Sequence, residues 1–259
     1  MNIHVFVKRV PDTESRIRID REAKSVVEEG LVFILNPYDE FALEEALRLR
    51  ESRGGTVRVF TAGGEEALSI LRKCLAMGAD EAVLVKDAAP ESHDGLRTAR
   101  ILAAASRRFP DADLLLFGKQ SMDTDNAQTP SMTAELLDLP QINVVTRLEI
   151  DGARGTAFRE IEGGTEKVVF SLPAVVSAQK GLNEPRYETL RGLLAARKKT
   201  IPVIPVEDLG LPAEALASNV EIMEIEVPVR RKAGKILRGD PADTAKELVR
   251  LLHEEARII

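Results

Sequence analysis

The sequence predicts an α/β fold: a mostly parallel, doubly wound sheet with a hairpin insertion and an extended C-terminal arm that ends in a helix. Three observations carry this. Up to Pro140, short apolar runs alternate with stretches of helical periodicity, the pattern of right-handed βαβ units. After Pro140, three strand-like runs are joined by the turn pairs Asp151-Gly152 and Gly163-Gly164. From Pro202 onward, prolines at 202, 205, 212 and 228 space out short apolar pieces, which alone bury too little surface to form a core.

The elements follow in order. Ile3–Val7 reads as a buried strand. Asn36-Pro37-Tyr38-Asp39 opens a helix with a favoured N-cap, Pro at the first helical position and an acid in the first turn. Phe41, Ala42, Ala46 and Leu49 share one face of it, and Gly54-Gly55 stops it. Thr56–Phe60 is a strand, Glu65–Met77 a helix, and Gly78 its expected left-handed terminator. Ala82–Val85 is a strand, Asp94 caps a helix running to about Phe109, and Leu114–Phe117 is an unbroken apolar run suited to burial on both faces. Residues 142–150, 156–161 and 166–170 form the insertion, and Ala174–Ala178 returns to the main sheet. Asp240-Pro241 announces a final helix carrying Leu248, Leu251 and Leu252. The expected division is residues 1–200 as the α/β domain and 201–259 as the arm and helix.

Composition narrows the function. A chain of 259 residues buries roughly 70–75% of its unfolded surface and needs no covalent staple. Hydrophobic residues make up 44% and charged residues 30%, an ordinary globular balance. A net charge of −6 argues against a nucleic-acid partner. The single cysteine, Cys74, excludes an internal disulfide or an all-cysteine cluster. No apolar run reaches the ~20 residues of a bilayer span, so no direct membrane insertion is expected. Residues 1–10 lack the three-part pattern of a signal peptide, which makes a cytoplasmic location the expectation.

The most informative loop is Gly118-Lys119-Gln120-Ser121-Met122-Asp123-Thr124-Asp125-Asn126-Ala127-Gln128-Thr129-Pro130. It follows a strand directly, so it lies at a carboxyl edge, where open α/β sheets hold ligands. Thr129-Pro130 reads as N-cap and first helical residue, whose free N–H groups suit a phosphate. Asp123 and Asp125 would repel a phosphate and fit as ribose or base partners, or as carboxylates that stabilise the turn. Asn36–Asp39 marks a second carboxyl edge, or is a helix cap and nothing more. Gly63-Gly64 marks a third; no dinucleotide fingerprint or P-loop is present. His4, His93 and His253 share no metal spacing, and Cys74 falls mid-helix among leucines, as a packing residue would. Asn183–Leu190 holds Arg186, Tyr187 and Leu190, an exposed partner anchor or a connection whose Leu190 faces the core.

These segments together resemble the β (small) subunit of electron-transfer flavoproteins. The resemblance rests on Val7–Thr13, Asn36–Asp39 with Glu44-Glu45-Ala46, Leu75–Asp80, Gly118-Lys119-Gln120 with Asp123, Asp125 and Gln128-Thr129, Arg159–Gly164, Leu172–Val176 and Leu182–Tyr187. They occur in family order over residues 3–200, with a looser match at Asp208-Leu209-Gly210. The resemblance implies a sheet of the adenine-nucleotide-binding type and a heterodimer with an α subunit that holds the redox FAD. It implies AMP in this subunit, contacted by Phe6, Asn36, Pro37, Tyr38, Asp39, Ala62 and Gly118–Thr129. The first loop, Tyr38 and Arg159 would approach the partner's flavin. Arg186, Tyr187 and Leu190 would dock acyl-CoA dehydrogenases of fatty acid β-oxidation, and electrons would pass on to a quinone-reducing oxidoreductase. Thr13 departs from the aromatic of mitochondrial relatives, and Pro130 from a common glycine. Electron-bifurcating relatives place a second FAD in the AMP site; Gln128-Thr129-Pro130 favours AMP, through the Thr129 hydroxyl. The reading from another class is a stand-alone ATP-binding or ATP-hydrolysing protein, with Asp123 and Asp125 as the only local cation holders.

Overall fold

The structure is a computed structural model that describes residues 1–87, 94–228 and 234–259; His93 lies outside the described residues. Its centre is a sheet of nine strands among the described residues. Strands β1 (Ile3–Phe6), β6 (Val57–Gly63), β7 (Glu81–Lys86), β8 (Leu114–Gly118) and β12 (Ala174–Ala178) are largely apolar and buried on both faces, as parallel strands covered by helices are. The order is β11 (Gly164–Ser171), β10 (Arg154–Ile161), β9 (Gln141–Asp151), β12, β8, β1, β6, β7 and β13 (Val203–Pro205). Every pair is parallel except β9 (Gln141–Asp151) with β10 (Arg154–Ile161) and β10 with β11 (Gly164–Ser171), the expected hairpin insertion.

Alternation along the strands sorts the core into two layers. Ile3, Val5, Leu114, Leu116 and Val176 point to the face covered by α1 (Pro37–Arg53), α2 (Leu68–Met77) and α5 (Leu190–Lys198). Phe6, Phe60, Leu115, Phe117 and Val175 point to the face covered by α3 (Gly95–Arg107) and α4 (Thr129–Leu137). The doubly wound α/β fold read from the sequence is the one observed. The helix signals hold locally: Gly54 terminates α1, Gly78 ends α2 at φ 129°, and the Asp94 carboxylate accepts from the N–H groups of Leu96 and Arg97 at the start of α3.

Two segments carry more structure than the sequence predicts. The first long loop contains β2 (Arg9–Pro11) paired with β5 (Phe33–Leu35), and β3 (Ile19–Asp20) paired with β4 (Ser25–Val26). Beyond residue 201, the chain first returns to its own domain. β13 (Val203–Pro205) adds a parallel strand beside β7, Val206 is buried, and α6 (Ala213–Leu216) sits on α3. From Val220 to Gly239 the described residues form no helix or strand. The last helix, α7 (Pro241–Leu251), is capped by Asp240 as expected, and none of its residues is buried.

One polar cluster interrupts the second layer. The His4 ring lies 2.9 Å from Ser106 Oγ and 3.1 Å from an Arg58 guanidinium nitrogen. Arg58 in turn pairs with Glu81 and Asp111 and stacks on Phe109. Burial, then the Arg58 charge, pull the His4 pKa down to about 4. Its ring is therefore neutral at pH 7, with Nδ1–H donating to Ser106 and Nε2 accepting from Arg58.

Candidate functional site

From β1 the chain winds outward through β6 and β7, then crosses back to place β8 on the other side of β1. That reversal is the switch point of a doubly wound sheet, and a crevice must open beyond the carboxyl ends of β1 and β8. A cavity of about 730 Å³ lies there, within the ~300–1,000 Å³ range of small-ligand sites. Phe6 and Phe117 line its floor, their rings stacked 4.2 Å apart, and Ala62 and Gly63 border it from the end of β6.

Three residues lock the crevice's rim. Asn36 is fully buried at the start of α1, yet its side chain does not cap that helix as expected. It crosses to the loop after β8 instead: Nδ2 donates to the Gln120 carbonyl at 2.9 Å, and Oδ1 accepts from Met122 N–H at 3.2 Å. Asp39, also buried, accepts from Lys8 N–H at 2.8 Å and from Gly118 N–H at 3.2 Å. It thereby ties the ends of β1 and β8 to the first turn of α1. Burial pushes its carboxyl up to about 7, opposed by Asn36, by those two N–H donors and by the Lys8 charge. Gly118 permits the approach: a Cβ there would overlap Asp39 Oδ1 and come within 2.7 Å of Asp39 N and Tyr38 C.

The loop from 118 to 129 is held by its own polar groups and by Lys8. Lys8 Nζ pairs with Asp123 at 2.6 Å, Gln120 Nε2 donates to Asp125 at 2.6 Å, and the Ser121 and Thr124 hydroxyls meet at 2.9 Å. Burial opposes the charge on Asp123, but Lys8 and the hydrogen bonds around it hold its pKa below the ordinary value. The backbone is left-handed at Asp125 (φ 52°) and Ala127 (φ 50°), a conformation that non-glycine residues adopt at a cost. Helix α4 starts at Thr129, with Gln128 as N-cap and Pro130 second, one residue earlier than the sequence reading. Gln128 gives no side-chain cap, so the N–H groups of Thr129 and Ser131 have no intrahelical partner.

Of the residues singled out from sequence, Phe6, Asn36, Asp39 and Ala62 line this cavity. So do Gly118, Lys119, Gln120, Ser121, Asp123 and Thr124, followed by Asn126, Ala127, Gln128 and Thr129. Pro37, Tyr38, Met122 and Asp125 stand outside its lining. Arg159 stands on the hairpin outside this lining, paired with Glu166 at 2.5 Å. Arg186, Tyr187 and Leu190 occupy a separate surface. Arg186 is clamped to Glu44 and Glu51 of α1, while Tyr187 and Leu190 are 92% and 74% exposed. Leu190 therefore does not face the core. The sequence reading missed Lys8, Thr61 and Thr98, and from the C-terminal segment Ser218, Val220, Glu221, Ile222 and Ile225, all of which line the cavity. Lys8 had a visible signal, since it follows the central strand at its carboxyl end; the stretch after Ser218 had none.

Cys74 is buried on α2, where burial pushes its thiol up and keeps it protonated. Among the described residues no three His, Cys, Asp or Glu side chains are grouped to hold a metal, and no helix is long and apolar enough to cross a membrane.

Fold and crevice together define a doubly wound α/β protein with a switch-point site of the kind that takes nucleotides. Residues 24–209 match the family model described as the electron transfer flavoprotein domain. The chain is 42% identical over 260 residues to electron transfer flavoprotein subunit beta of Bacillus subtilis, covering 100% of both chains. It is 39% identical to the subunit of that name from Mus musculus, over 98% of this chain and 97% of the relative. It is 36% identical to caffeyl-CoA reductase-Etf complex subunit CarD of Acetobacterium woodii, over 98% and 99%. The chain belongs to the electron transfer flavoprotein β-subunit family, whose members are electron carriers rather than enzymes. The reading as a stand-alone ATP-hydrolysing enzyme is set aside by that membership.

Proposed function

We propose that this chain is the AMP-holding small subunit of a heterodimeric electron-transfer flavoprotein, whose large subunit carries the FAD that accepts and donates electrons. The observation that carries the AMP reading is the uncapped start of α4, which opens onto the same cavity as the loop pinned by Asn36 and Asp39. Free N–H groups at a helix N-terminus, with the helix dipole behind them, favour an anion. The Thr129 hydroxyl would bind the phosphate, and the Phe6, Phe117 and Ala62 surface would receive the base. Three of the carboxylates that line it are already engaged: Asp123 by Lys8, Asp94 by the start of α3, and Asp39 by two backbone N–H groups. The donor set fits a nucleotide monophosphate.

The exposed pair Tyr187 and Leu190 supports the second part of the reading, docking of acyl-CoA dehydrogenases of fatty acid β-oxidation at the start of α5. Arg186 holds its loop rigid beneath them through buried Glu44, and the Thr189 hydroxyl caps α5 by accepting from Gly192 N–H. Electrons would leave through a quinone-reducing oxidoreductase. The segment from 201 to 259, with the exposed apolar face of α7, would lie partly on the large subunit, and Arg159 would approach the shared flavin. Tyr38, outside the AMP cavity, is assigned the same side.

Nucleotide analysis of the denatured two-subunit complex tests this. One FAD and one AMP per heterodimer are expected. Two FAD would replace the AMP reading with that of an electron-bifurcating flavoprotein, and no adenine nucleotide beyond one FAD would remove both.

A further inference from the structure

The cavity has a wall that the loops at the strand ends do not supply. Ser218, Val220, Glu221, Ile222 and Ile225 line it from the C-terminal segment. Ile222 and Ile225, three residues apart, are half-buried in a run whose other members from Glu221 to Pro228 are exposed, Met223 to 74%. Two isoleucines turned inward from an otherwise solvated strap present apolar surface to whatever fills the cavity.

The strap's attachment is concentrated in one place. Upstream, Arg97 Nε donates to the Leu216 carbonyl at 2.7 Å, and Arg97 is itself held by buried Asp87. Asn219 then donates through both its backbone N–H (2.7 Å) and its Nδ2 (3.3 Å) to Asp94 Oδ2. The other Asp94 oxygen, Oδ1, caps α3 by accepting from Leu96 and Arg97 N–H. Asp94 is buried; burial works against its charge, but these donors hold its pKa below the ordinary value. Beyond Val220, through Pro228, no described residue makes a hydrogen bond or ion pair to the sheet or its helices. A segment held by apolar contact past its last hydrogen bond opens locally at low free-energy cost.

We propose that residues 218–225 are a retaining strap over the nucleotide cavity, latched at Asp94–Asn219, and that its opening limits nucleotide exit. This rests on the nucleotide reading above. One carboxylate thus starts the helix on the cavity's edge and fastens the cavity's roof.

The test uses the two-subunit complex loaded with radiolabelled AMP. Asp94→Ser keeps a good N-cap for α3 but is too short to reach Asn219, and Ile222→Ser leaves the latch and removes apolar surface from the roof. Both are expected to speed release of labelled AMP at least tenfold into excess unlabelled AMP. Asp94→Ser is also expected to accelerate amide hydrogen exchange across 219–226, with the melting temperature of the flavin-loaded complex nearly unchanged. If Asp94→Ser fails to fold, Ile222→Ser decides alone, because it touches no cap. Release and exchange at wild-type rates in the folded variants would overturn the strap. A wild-type complex that takes up no labelled AMP would instead overturn the nucleotide reading, and the retention role with it.

Discussion

At the scale of single residues, the rim of the crevice is set by contacts that leave no spare volume. Gly118 is the tightest: the atoms a Cβ would meet include Asp39 N and Tyr38 C, which no rotamer change can move. Gly118→Ala is expected to destabilise the chain by about 1–3 kcal/mol, the range for forced overpacking, and to loosen the loop that Asn36 pins. Urea unfolding measures the first effect and AMP content of the complex the second. Thr129→Val, nearly isosteric, should weaken the phosphate end by ~1.5–3 kcal/mol, the worth of a hydrogen bond to a charged group. Unchanged AMP content and complex stability would remove Thr129 from the site. His4 makes a pH prediction. Its pKa falls from 6.5 in the unfolded chain to about 4 in the folded one, so the folded state resists protonation. The stability from neutral His4 is whole above pH 6.5 and is lost as pH falls towards 4, by up to about 3 kcal/mol at 1.36 kcal/mol per unit. His4→Gln should flatten that acid limb, read as urea midpoints at pH 7 and pH 4.5; an equally steep loss in the variant would assign the limb to carboxylates. The roles of Asn36 and Asp39 were only half legible in the sequence. Asn-Pro before an apolar face reads as a helix start, which it is. That the Asn36 side chain turns away to hold Gln120 and Met122 depends on a strand some eighty residues later lying beside β1.

At the scale of elements, legibility followed length and period. Leu114–Phe117 reads as an unbroken apolar run suited to burial on both faces, and the short run Ala174–Ala178 as a return to the main sheet, and both are central strands. The pieces at 9–11, 19–20, 25–26 and 33–35 are too short to show any period. β13 was hidden for a different reason: Pro202 and Pro205 argue against a ladder, but an edge strand pairs on one side only and tolerates them. Here the Pro202 carbonyl accepts from Leu84 N–H at 3.0 Å. The loop before α5 shows the converse, a segment whose sequence left two readings and whose setting separates them. Arg186 reaches back to Glu44 and Glu51, and Asn183 Nδ2 donates to the Phe41 carbonyl and Glu45. The connection is rigid while Tyr187 and Leu190 stand in solvent. A buried leucine truncated to alanine costs ~2–5 kcal/mol, so Leu190→Ala should leave the melting temperature within a degree or two. If Leu190 fills a pocket on a dehydrogenase, its loss should weaken docking about ten- to a hundredfold, from ~1.5–3 kcal/mol of apolar burial. Steady-state flavin reduction at limiting carrier concentration reads this. Normal reduction with a normal melting temperature would take Leu190 out of the docking surface.

At the scale of the whole molecule, the chain divides its apolar surface unevenly. The two layers beside the sheet are closed, yet α7 buries none of its residues, with Leu248 and Val249 about half exposed and Ile258 and Ile259 open at the end. An amphipathic helix with no cover gains its stability from packing on something else, and membership of a subunit family makes a second subunit the natural cover. The strap over the cavity runs between Asn219 and this helix. Its near end is fastened by Asp94, and α7 offers a second attachment farther along the chain. Docking of α7 on the large subunit would therefore hold the roof from both ends, and separation would leave it hinged at one. The lone chain is expected to bind no stoichiometric flavin, and coexpression with a large subunit should give a yellow heterodimer. The lone chain should also release labelled AMP faster than the heterodimer does, and a chain truncated after Gly239 should release it at the lone-chain rate even when mixed with the large subunit. Equal release rates from lone chain and heterodimer would uncouple the roof from assembly. Tight FAD binding by the lone chain would mean that its own cavity, rather than the partner, houses a flavin.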